Sequence, residues 1–189
     1  MRSMLFVLTA VLLLVGCVPT FGGVLRNEVC YARWPANSFP ISVVVDSRLT
    51  PARQVAVQNA VIRWNAEVGF TVFTVDRIID VMDTEWLHPH PGTVYIDQWD
   101  IEDRGLTVLA GQAVLVYVPG TCSVHHAFVS IDTAAPNEFA DLIMAHELGH
   151  ALGLSHDEWQ PSLMYPYYDT SGNRILDDDI SYIEWQAQQ

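Results

Sequence analysis

The stretch "HELGHALGLSH", residues 146–156, sets the first structural expectation for this chain. Residues four apart lie on one face of a helix, so His146 and His150 present two imidazoles to the same point. A divalent cation can lie there at roughly 2.0–2.1 Å from each nitrogen. Gly153 permits a positive φ, which lets the chain turn sharply and bring His156 back to that point. The spacing therefore predicts a helix followed by a turn that together form a three-histidine metal site.

Glu147 follows the first histidine and points to another side of the helix, which makes it a poor metal ligand. Three neutral nitrogen ligands leave a fourth position for water, an arrangement typical of catalytic zinc. Zinc lowers the pKa of such a water to about 7, and Glu147 is placed to take its proton. The alternative is a helix and turn that are merely rich in histidine, but core packing explains one histidine rather than three. We predict one catalytic Zn²⁺ with His146, His150 and His156 as ligands.

A second motif lies downstream, where "PSLMYPYY" places Met164 eight residues after His156 and Pro166 two residues further on. The histidine motif followed by a methionine turn resembles the metzincin metallopeptidases. With Pro166 after the methionine, "SLMYP" is most similar to the matrixins, the group that includes the matrix metalloproteinases. Asp157 departs from that pattern, because matrixins usually carry Ser or Thr after the third histidine.

This resemblance implies an α+β metzincin-like (zincin) fold, with a mixed twisted sheet of about five strands and three helices, one of which carries HExxH. It also implies hydrolysis of peptide bonds in proteins by a zinc-activated water, with Glu147 as general base. Met164 would form an apolar floor under the metal. Substrate would bind as an extra strand along a sheet edge, for which residues 126–132 are the candidate. The segment 165–173 would shape the pocket just beyond the cut bond.

Local patterns in the sequence predict the order of the elements. Thr50 and Pro51 are a good N-cap and first residue for a long helix, and Gly69 is a suitable stop. Helices are also predicted from Asn137 and from Asp177. Strands are predicted from runs rich in β-branched and aromatic residues at 39–47, 70–76, 93–97, 113–118 and 127–132. The pattern predicts a single α+β domain without internal repeats.

The amino terminus reads as a secretory signal, because the apolar run from Met4 to Gly16 follows an early Arg and is too short to span a bilayer. It ends in "LVGC", which resembles the lipobox of bacterial lipoproteins, with Cys17 as the acylated residue. The predicted organisation is a signal peptide over 1–16, a linker or N-terminal segment over 17–38, and a catalytic domain over 39–189. We expect a lipid-anchored envelope protein, periplasmic or at the cell surface; extracellular release, a plain cleaved signal and an uncleaved anchor are the alternatives.

Three further sets of residues leave alternatives open. Cys30 and Cys122 are an even pair in an oxidising compartment, and a disulfide between them is plausible. The remaining histidines are predicted loop residues, with an accessory metal or substrate-side role as the alternative: His88, His90, His125 and His126. Ca²⁺ is possible, but no clear calcium-binding motif supports it.

The charge of the chain bears on its partners. Of 189 residues, 22 are acidic and nine are basic, giving a net charge of −13, and no lysine is present. This balance argues against nucleic acid, because a binder needs a basic face. We expect a protein or peptide substrate, membrane contact through a lipid on Cys17, and a monomer. The competing hypotheses are a catalytically silent zinc-binding recognition lipoprotein and an adhesive lipoprotein with an incidental metal; an intact Glu147 weighs against the first.

Overall fold

The computed structural model describes residues 26–27, 30–80, 84–100, 110–167 and 173–189. The predicted signal peptide 1–16 and Cys17 lie outside the described residues. Within the described ranges, no helix combines the length and the apolar character needed to cross a membrane.

A five-stranded mixed sheet forms one layer of the molecule, with the strand order β4-β3-β5-β7-β6. Its first four strands are parallel, and β6 runs antiparallel to β7. A separate antiparallel pair, β1 and β2, precedes it. The strands are β1 (Arg26–Asn27), β2 (Cys30–Tyr31), β3 (Ile41–Asp46), β4 (Phe73–Ile79), β5 (Thr93–Trp99), β6 (Gly111–Tyr117) and β7 (Val124–Asp132). The predicted mixed sheet of about five strands is confirmed.

The candidate edge strand 126–132 is wrong. Phe128 of β7 pairs with Tyr95 of β5 on one side and with Val114 of β6 on the other, so β7 is an inner strand. The antiparallel edge of the sheet is β6. Both strands are apolar and consecutive in the chain, and local sequence does not distinguish which of two such strands is paired on both sides.

Three helices of more than two turns complete the α+β architecture: α1 (Pro51–Val68), α3 (Ala140–Ala151) and α4 (Asp177–Ala187). A single turn, α2 (Thr84–Leu87), lies between β4 and β5. The Thr50 side chain accepts a hydrogen bond from the Arg53 N–H at 3.4 Å, and Gly69 ends α1 with φ of 82°. The predicted start and end of α1 are thus confirmed, as is the start of α4.

The position of β4 differs from its prediction by three residues. The side chain of Asn65 in α1 accepts hydrogen bonds from the N–H groups of Val72 and Phe73 at 2.8 and 2.9 Å. Because these bonds hold the residues just after α1 in a connecting segment, the strand begins at Phe73 rather than at residue 70. The shift is decided by a contact between elements, which strand propensity does not contain.

Helices α1 and α3 pack side by side over the sheet. Trp64 of α1 is fully buried, and its indole N–H donates to the carbonyl oxygen of Ala145 in α3 at 2.8 Å. The buried face of α1 also includes Ala56, Val57 and Ala60, whereas Val55 and Ile62 are exposed. This packing fixes the helix that carries the histidine motif against the core.

Part of the predicted N-terminal segment 17–38 lies in the core. Trp34 is fully buried, with its indole N–H donating to the Ala151 carbonyl at 2.8 Å and its backbone N–H donating to Gln186 Oε1 at 2.7 Å. The segment therefore joins the end of α3 to α4. Nearby, the backbone N–H of Arg33 donates to the carbonyl of Cys122 at 3.0 Å, and Cys122 is disulfide-bonded.

Candidate metal centre

The structure brings the three motif histidines together, as their spacing predicts. His146 and His150 are buried on α3, and His156 is half-buried in the segment that follows. The Nε2 atom of His156 lies 3.2 Å from Nε2 of His146 and 3.1 Å from Nε2 of His150. Among the described residues, this is the one group of three or more His, Cys, Asp or Glu side chains whose ligand atoms all lie within 4.8 Å of one another.

This nitrogen cluster fits a tetrahedral zinc ion. Ligands at roughly 2.0–2.1 Å from a tetrahedral centre lie roughly 3.3–3.4 Å apart, close to the two Nε2 separations. Three imidazole nitrogens facing one another at such distances repel unless a cation or a shared proton lies between them. Three histidine nitrogens are a donor set that catalytic zinc uses, with water as the fourth ligand.

Backbone carbonyl groups orient the two helical histidines. Nδ1 of His146 lies 2.7 Å from the Leu163 carbonyl oxygen, and Nδ1 of His150 lies 2.8 Å from the Leu154 carbonyl oxygen. These acceptors assign the ring proton to Nδ1 and leave the Nε2 lone pair directed at the cluster. Burial lowers the pKa of His146 to about 4 and that of His150 to about 3, which keeps both rings in the neutral form that binds metal.

The turn that returns His156 to the cluster depends on Gly153. Its φ is +93°, a left-handed conformation that favours glycine. Its N–H donates to the His150 carbonyl at 2.9 Å, which closes the end of the helix. A Cβ at this position would lie 2.9 Å from the carbonyl oxygen of Ala32. Gly153 is therefore required both by the turn and by the N-terminal segment packed against it.

Met164 lies under the helix that carries the ligands. It is 1% exposed, and a Cβ on Gly149 would lie 2.4 Å from its Sδ atom. A hydrogen bond joins the methionine segment to the residue that follows His156: the Asp157 N–H donates to the Met164 carbonyl at 2.9 Å. The Asp157 carboxylate accepts from the Trp159 N–H at 2.8 Å, so the residue that departs from the matrixin pattern stabilises its own turn.

Glu147 is buried beside the cluster, with 5% of its surface exposed. Its side chain packs against Gly111, the first residue of the edge strand β6. Burial raises the pKa of its carboxyl group to about 8. A cation held by the histidines would act in the opposite direction, because a nearby positive charge favours the ionised carboxylate. Nothing in the sequence marks Gly111 as part of this site, since only the fold brings β6 to α3.

A small cavity of about 10 Å³ adjoins His146, which corresponds to about one water molecule. It lies between Leu142 of α3 and the segment after the methionine, including Tyr165 and Tyr167. The segment 165–173 is predicted to shape the pocket just beyond the cut bond; its residues Tyr165, Tyr167 and Asn173 line this cavity, and residues 168–172 lie outside the described residues.

The histidine pair of the "HHAF" run lies in β7, so the predicted loop position is wrong for His125 and His126. Their Nδ1 atoms are 2.8 Å apart. Burial, followed by the charge of His125, lowers the pKa of His126 to about 4. His126 pairs with Thr93 of β5 and with Val116 of β6, and the His125 carbonyl accepts from the Gly92 N–H at 2.8 Å. This pairing overrides the polar character of the two histidines.

His88 and His90 lie in the connection before β5, as predicted. Both are exposed, and the backbone N–H of His90 donates to the hydroxyl of Tyr95 at 3.0 Å. Neither belongs to a described group of potential metal ligands.

Comparison with known proteins identifies the family of this chain. The family model described as Matrixin, a peptidase family of class M10, matches residues 51–186. Matrix metalloproteinase-27 of Tupaia belangeri is 48% identical over 56 residues, which cover 28% of this chain and 10% of that protein. Karilysin of Tannerella forsythia is 46% identical over 43 residues, which cover 23% of this chain and 9% of that protein.

Interstitial collagenase of Oryctolagus cuniculus is 51% identical over 43 residues, covering 22% of this chain and 9% of that protein. The matched segments thus span about a tenth of the length of these curated relatives. The family match is much longer, and it runs from the first helix through the metal centre into the last helix. The chain belongs to the matrixin family.

Proposed function

We propose that this protein is a zinc-dependent metalloendopeptidase that hydrolyses peptide bonds of proteins. The observation that carries the proposal is the position of His156 Nε2, which lies 3.2 and 3.1 Å from the Nε2 atoms of His146 and His150, beside a buried carboxyl group. His146, His150 and His156 would hold the metal, and Glu147 would be the general base. The matrixin match supports a peptidase, because it covers all four of these residues.

When bound, zinc would supply Lewis-acid chemistry: it lowers the pKa of a water to about 7 and polarises a carbonyl group. The protein's own residues perform the proton transfers. As water oxygen bonds to the scissile carbonyl carbon, Glu147 takes its proton. The same carboxyl group then gives a proton to the amine nitrogen as the C–N bond breaks.

The edge strand β6 is the proposed docking strand for the substrate. Among the described strands it pairs with β7 alone, and we propose that its outer N–H and C=O groups pair with an extended peptide. Its first residue, Gly111, lies against Glu147. A peptide paired with β6 would therefore pass beside the proposed base.

Met164 is proposed to support the metal site from below, through its contact with Gly149 between the two helical ligands. Its Sδ lies where a side chain at position 149 would otherwise extend, so the thioether fills the space under this turn of α3. This role is packing rather than ligation, and it is compatible with ordinary burial in the core.

For the predicted N-terminal signal we propose lipid attachment at Cys17 and a location in the cell envelope. The support is the sequence alone: an apolar run followed by "LVGC". We also propose the organisation into 1–16, 17–38 and 39–189, no nucleic-acid partner, and action as a monomer. The net charge of −13 supports the exclusion of nucleic acid.

Metal dependence and the role of Glu147 are tested together. Wild-type protein is expected to cleave members of a broad peptide library, to lose this activity with EDTA, and to regain it with Zn²⁺. Glu147→Ala should keep one equivalent of zinc but lose roughly 10²- to 10⁴-fold in kcat, because it lacks the base. The exposed Glu158 offers a matched control, and Glu158→Ala should retain wild-type cleavage and zinc content.

Two outcomes would contradict the proposal. Absence of EDTA-sensitive cleavage by the zinc-loaded wild type across the library would favour the catalytically silent recognition protein. A Glu147→Ala variant that keeps zinc and cleaves at the wild-type rate would show that another group takes the proton.

A further inference from the structure

Gly111 and Glu147 occupy the same small space between the edge strand and the ligand-bearing helix. A Cβ added to Gly111 would lie 2.7 Å from Cγ and 2.7 Å from Oε1 of Glu147, and 3.0 Å from Cδ. Carbon atoms in proteins do not approach this closely without displacement, since contact distances are about 3.5–4.0 Å. The side chain of Glu147 therefore lies where a side chain at position 111 would have to be.

The surrounding structure holds both partners in place. Gly111 pairs with Ile131 of β7, and the carbonyl of the preceding Ala110 accepts from the Asp132 N–H at 2.9 Å. Helix α3 packs on both β6 and β7. Glu147, at 5% exposure, is enclosed between these elements. Its carboxyl group thus has few alternative positions, and the backbone of β6 forms one wall of the position it occupies.

We propose that Gly111 is a positioning residue for Glu147, because the absence of a side chain at position 111 lets the carboxyl group lie against the edge strand in its working orientation. This inference rests on the proposed peptidase function. Gly111 touches the base through its backbone and takes no part in the chemistry itself. A misplacement of about 1 Å in a reacting group can cost about 10²-fold in rate.

The structure also indicates how a substitution at position 111 would be accommodated. Gly111 is not among the glycines with positive φ, so an alanine can adopt its backbone conformation. The nearest atoms that alanine would meet belong to the Glu147 side chain, from Cγ outward, rather than to backbone. We therefore expect Gly111→Ala to fold and to displace the carboxyl group of Glu147.

The first experiment compares Gly111→Ala with Gln58→Ala in the zinc-loaded protein. Gln58 is an exposed residue of α1 and belongs neither to the docking strand nor to the metal centre. Gly111→Ala is expected to lower kcat about 10- to 100-fold, with zinc content unchanged and KM within about twofold of wild type. Gln58→Ala should retain the wild-type kcat.

The second experiment repeats the substitution in a Glu147→Ala background. If Gly111 acts through Glu147, Gly111→Ala lowers kcat in the wild-type background and causes no further loss when residue 147 is alanine. The midpoint of thermal unfolding should follow the same pattern, with a lower Tm only when Glu147 is present. A purely structural role for Gly111 would lower Tm and kcat equally in both backgrounds.

The outcomes separate the inference from the proposed function. An active wild type with an unchanged kcat in Gly111→Ala overturns the positioning role, as does equal loss in both backgrounds. If Gly111→Ala alone fails to fold, folding of the Gly111→Ala/Glu147→Ala protein supports the contact, and failure of both overturns it. An inactive wild type contradicts the peptidase function, and the unfolding data then decide whether Gly111 and Glu147 are coupled.

Discussion

The two ring nitrogens of each helical histidine face different partners. In His146 and His150, Nδ1 faces a backbone carbonyl oxygen at 2.7 and 2.8 Å, and Nε2 faces the metal position. The carbonyl groups belong to Leu163 and Leu154, which lie in the two segments that follow α3. Each of these imidazole rings is thus oriented by a backbone carbonyl group outside the helix, which is a typical way to fix a metal-binding imidazole.

Gly149 offers a residue-scale prediction in which two effects oppose each other. Alanine is favoured over glycine in a helix by about 1 kcal/mol. At this position, however, its Cβ would lie 2.4 Å from Met164 Sδ and 3.0 Å from Trp64 Cζ2. Overpacking a core costs about 1–3 kcal/mol, and a 2.4 Å contact corresponds to the upper part of that range. After the gain of about 1 kcal/mol from helix propensity, we expect Gly149→Ala to lower the free energy of unfolding by about 1–2 kcal/mol.

Urea unfolding of Gly149→Ala and wild type measures this difference. A combined Gly149→Ala/Met164→Ala protein, in which the thioether is removed, should lose less stability than the sum of the two single variants. A Gly149→Ala protein as stable as wild type would mean that helix propensity outweighs the contact with Met164.

The edge strand β6 and the helix α3 are the two elements that define the site. α3 carries His146, His150 and Glu147, and β6 contributes Gly111 and an edge position among the described strands. The helix is predictable because its histidine spacing matches one helical face. The edge is not predictable, because β6 and β7 are both apolar. Which of them lies inside the sheet depends on which one pairs with β5, and that pairing is not visible in local sequence.

The contribution of Asp179, in the first turn of α4, to the stability of the protein depends on pH. Asp179 at this turn is 8% exposed and accepts a hydrogen bond from the Leu176 N–H at 3.2 Å. Burial, with the charges of Asp157 and Asp178, raises the pKa of Asp179 to about 6 against an ordinary value of 3.8. The folded protein therefore binds this proton more tightly than the unfolded chain does. The resulting stabilisation is full below about pH 4 and is lost as the pH rises through 6.

Replacement of the group tests this sign. We expect Asp179→Asn to gain stability relative to wild type on going from pH 4 to pH 7, by on the order of 2 kcal/mol. Urea unfolding at both pH values, with EDTA present to remove metal binding, measures the change. Asp177→Asn, at an exposed position of the same turn, is the control. A wild-type-minus-variant difference that is equal at the two pH values would contradict the shifted pKa of Asp179.

On the scale of the whole molecule, the N-terminal segment and the last helix both pack against the end of α3, next to the site. Trp34 in the N-terminal segment bonds to Ala151 at the end of α3 and to Gln186 in α4. Gln186 is itself fully buried, and its side-chain N–H donates to the Leu152 carbonyl at 3.0 Å. The turn that carries Gly153 is therefore packed between the N-terminal segment and the last helix, which restricts how far His156 can move from its helical partners.

The proposed lipid anchor is tested in cells. Wild-type protein produced in a bacterial host with an alkyne fatty acid is expected to become labelled and to sediment with membranes, since acylation adds about 0.8 kcal/mol per buried CH₂. Cys17→Ser should carry no label and should appear in the soluble envelope fraction or in the medium. Label on the Cys17→Ser protein, or none on wild type, would contradict attachment at Cys17.

The sequence by itself predicted the cluster of His146, His150 and His156, the glutamate beside it, the methionine segment and the bounds of α1, because each depends mainly on spacing within one helix or turn. It also indicated the α+β class through the order of its periodic segments. Only the tertiary structure decided that β6 rather than β7 is an edge strand of the described sheet, that Trp34 belongs to the core, and that Gly111 faces Glu147. These features join residues far apart in the chain, and local periodicity carries no information about which distant elements pack together.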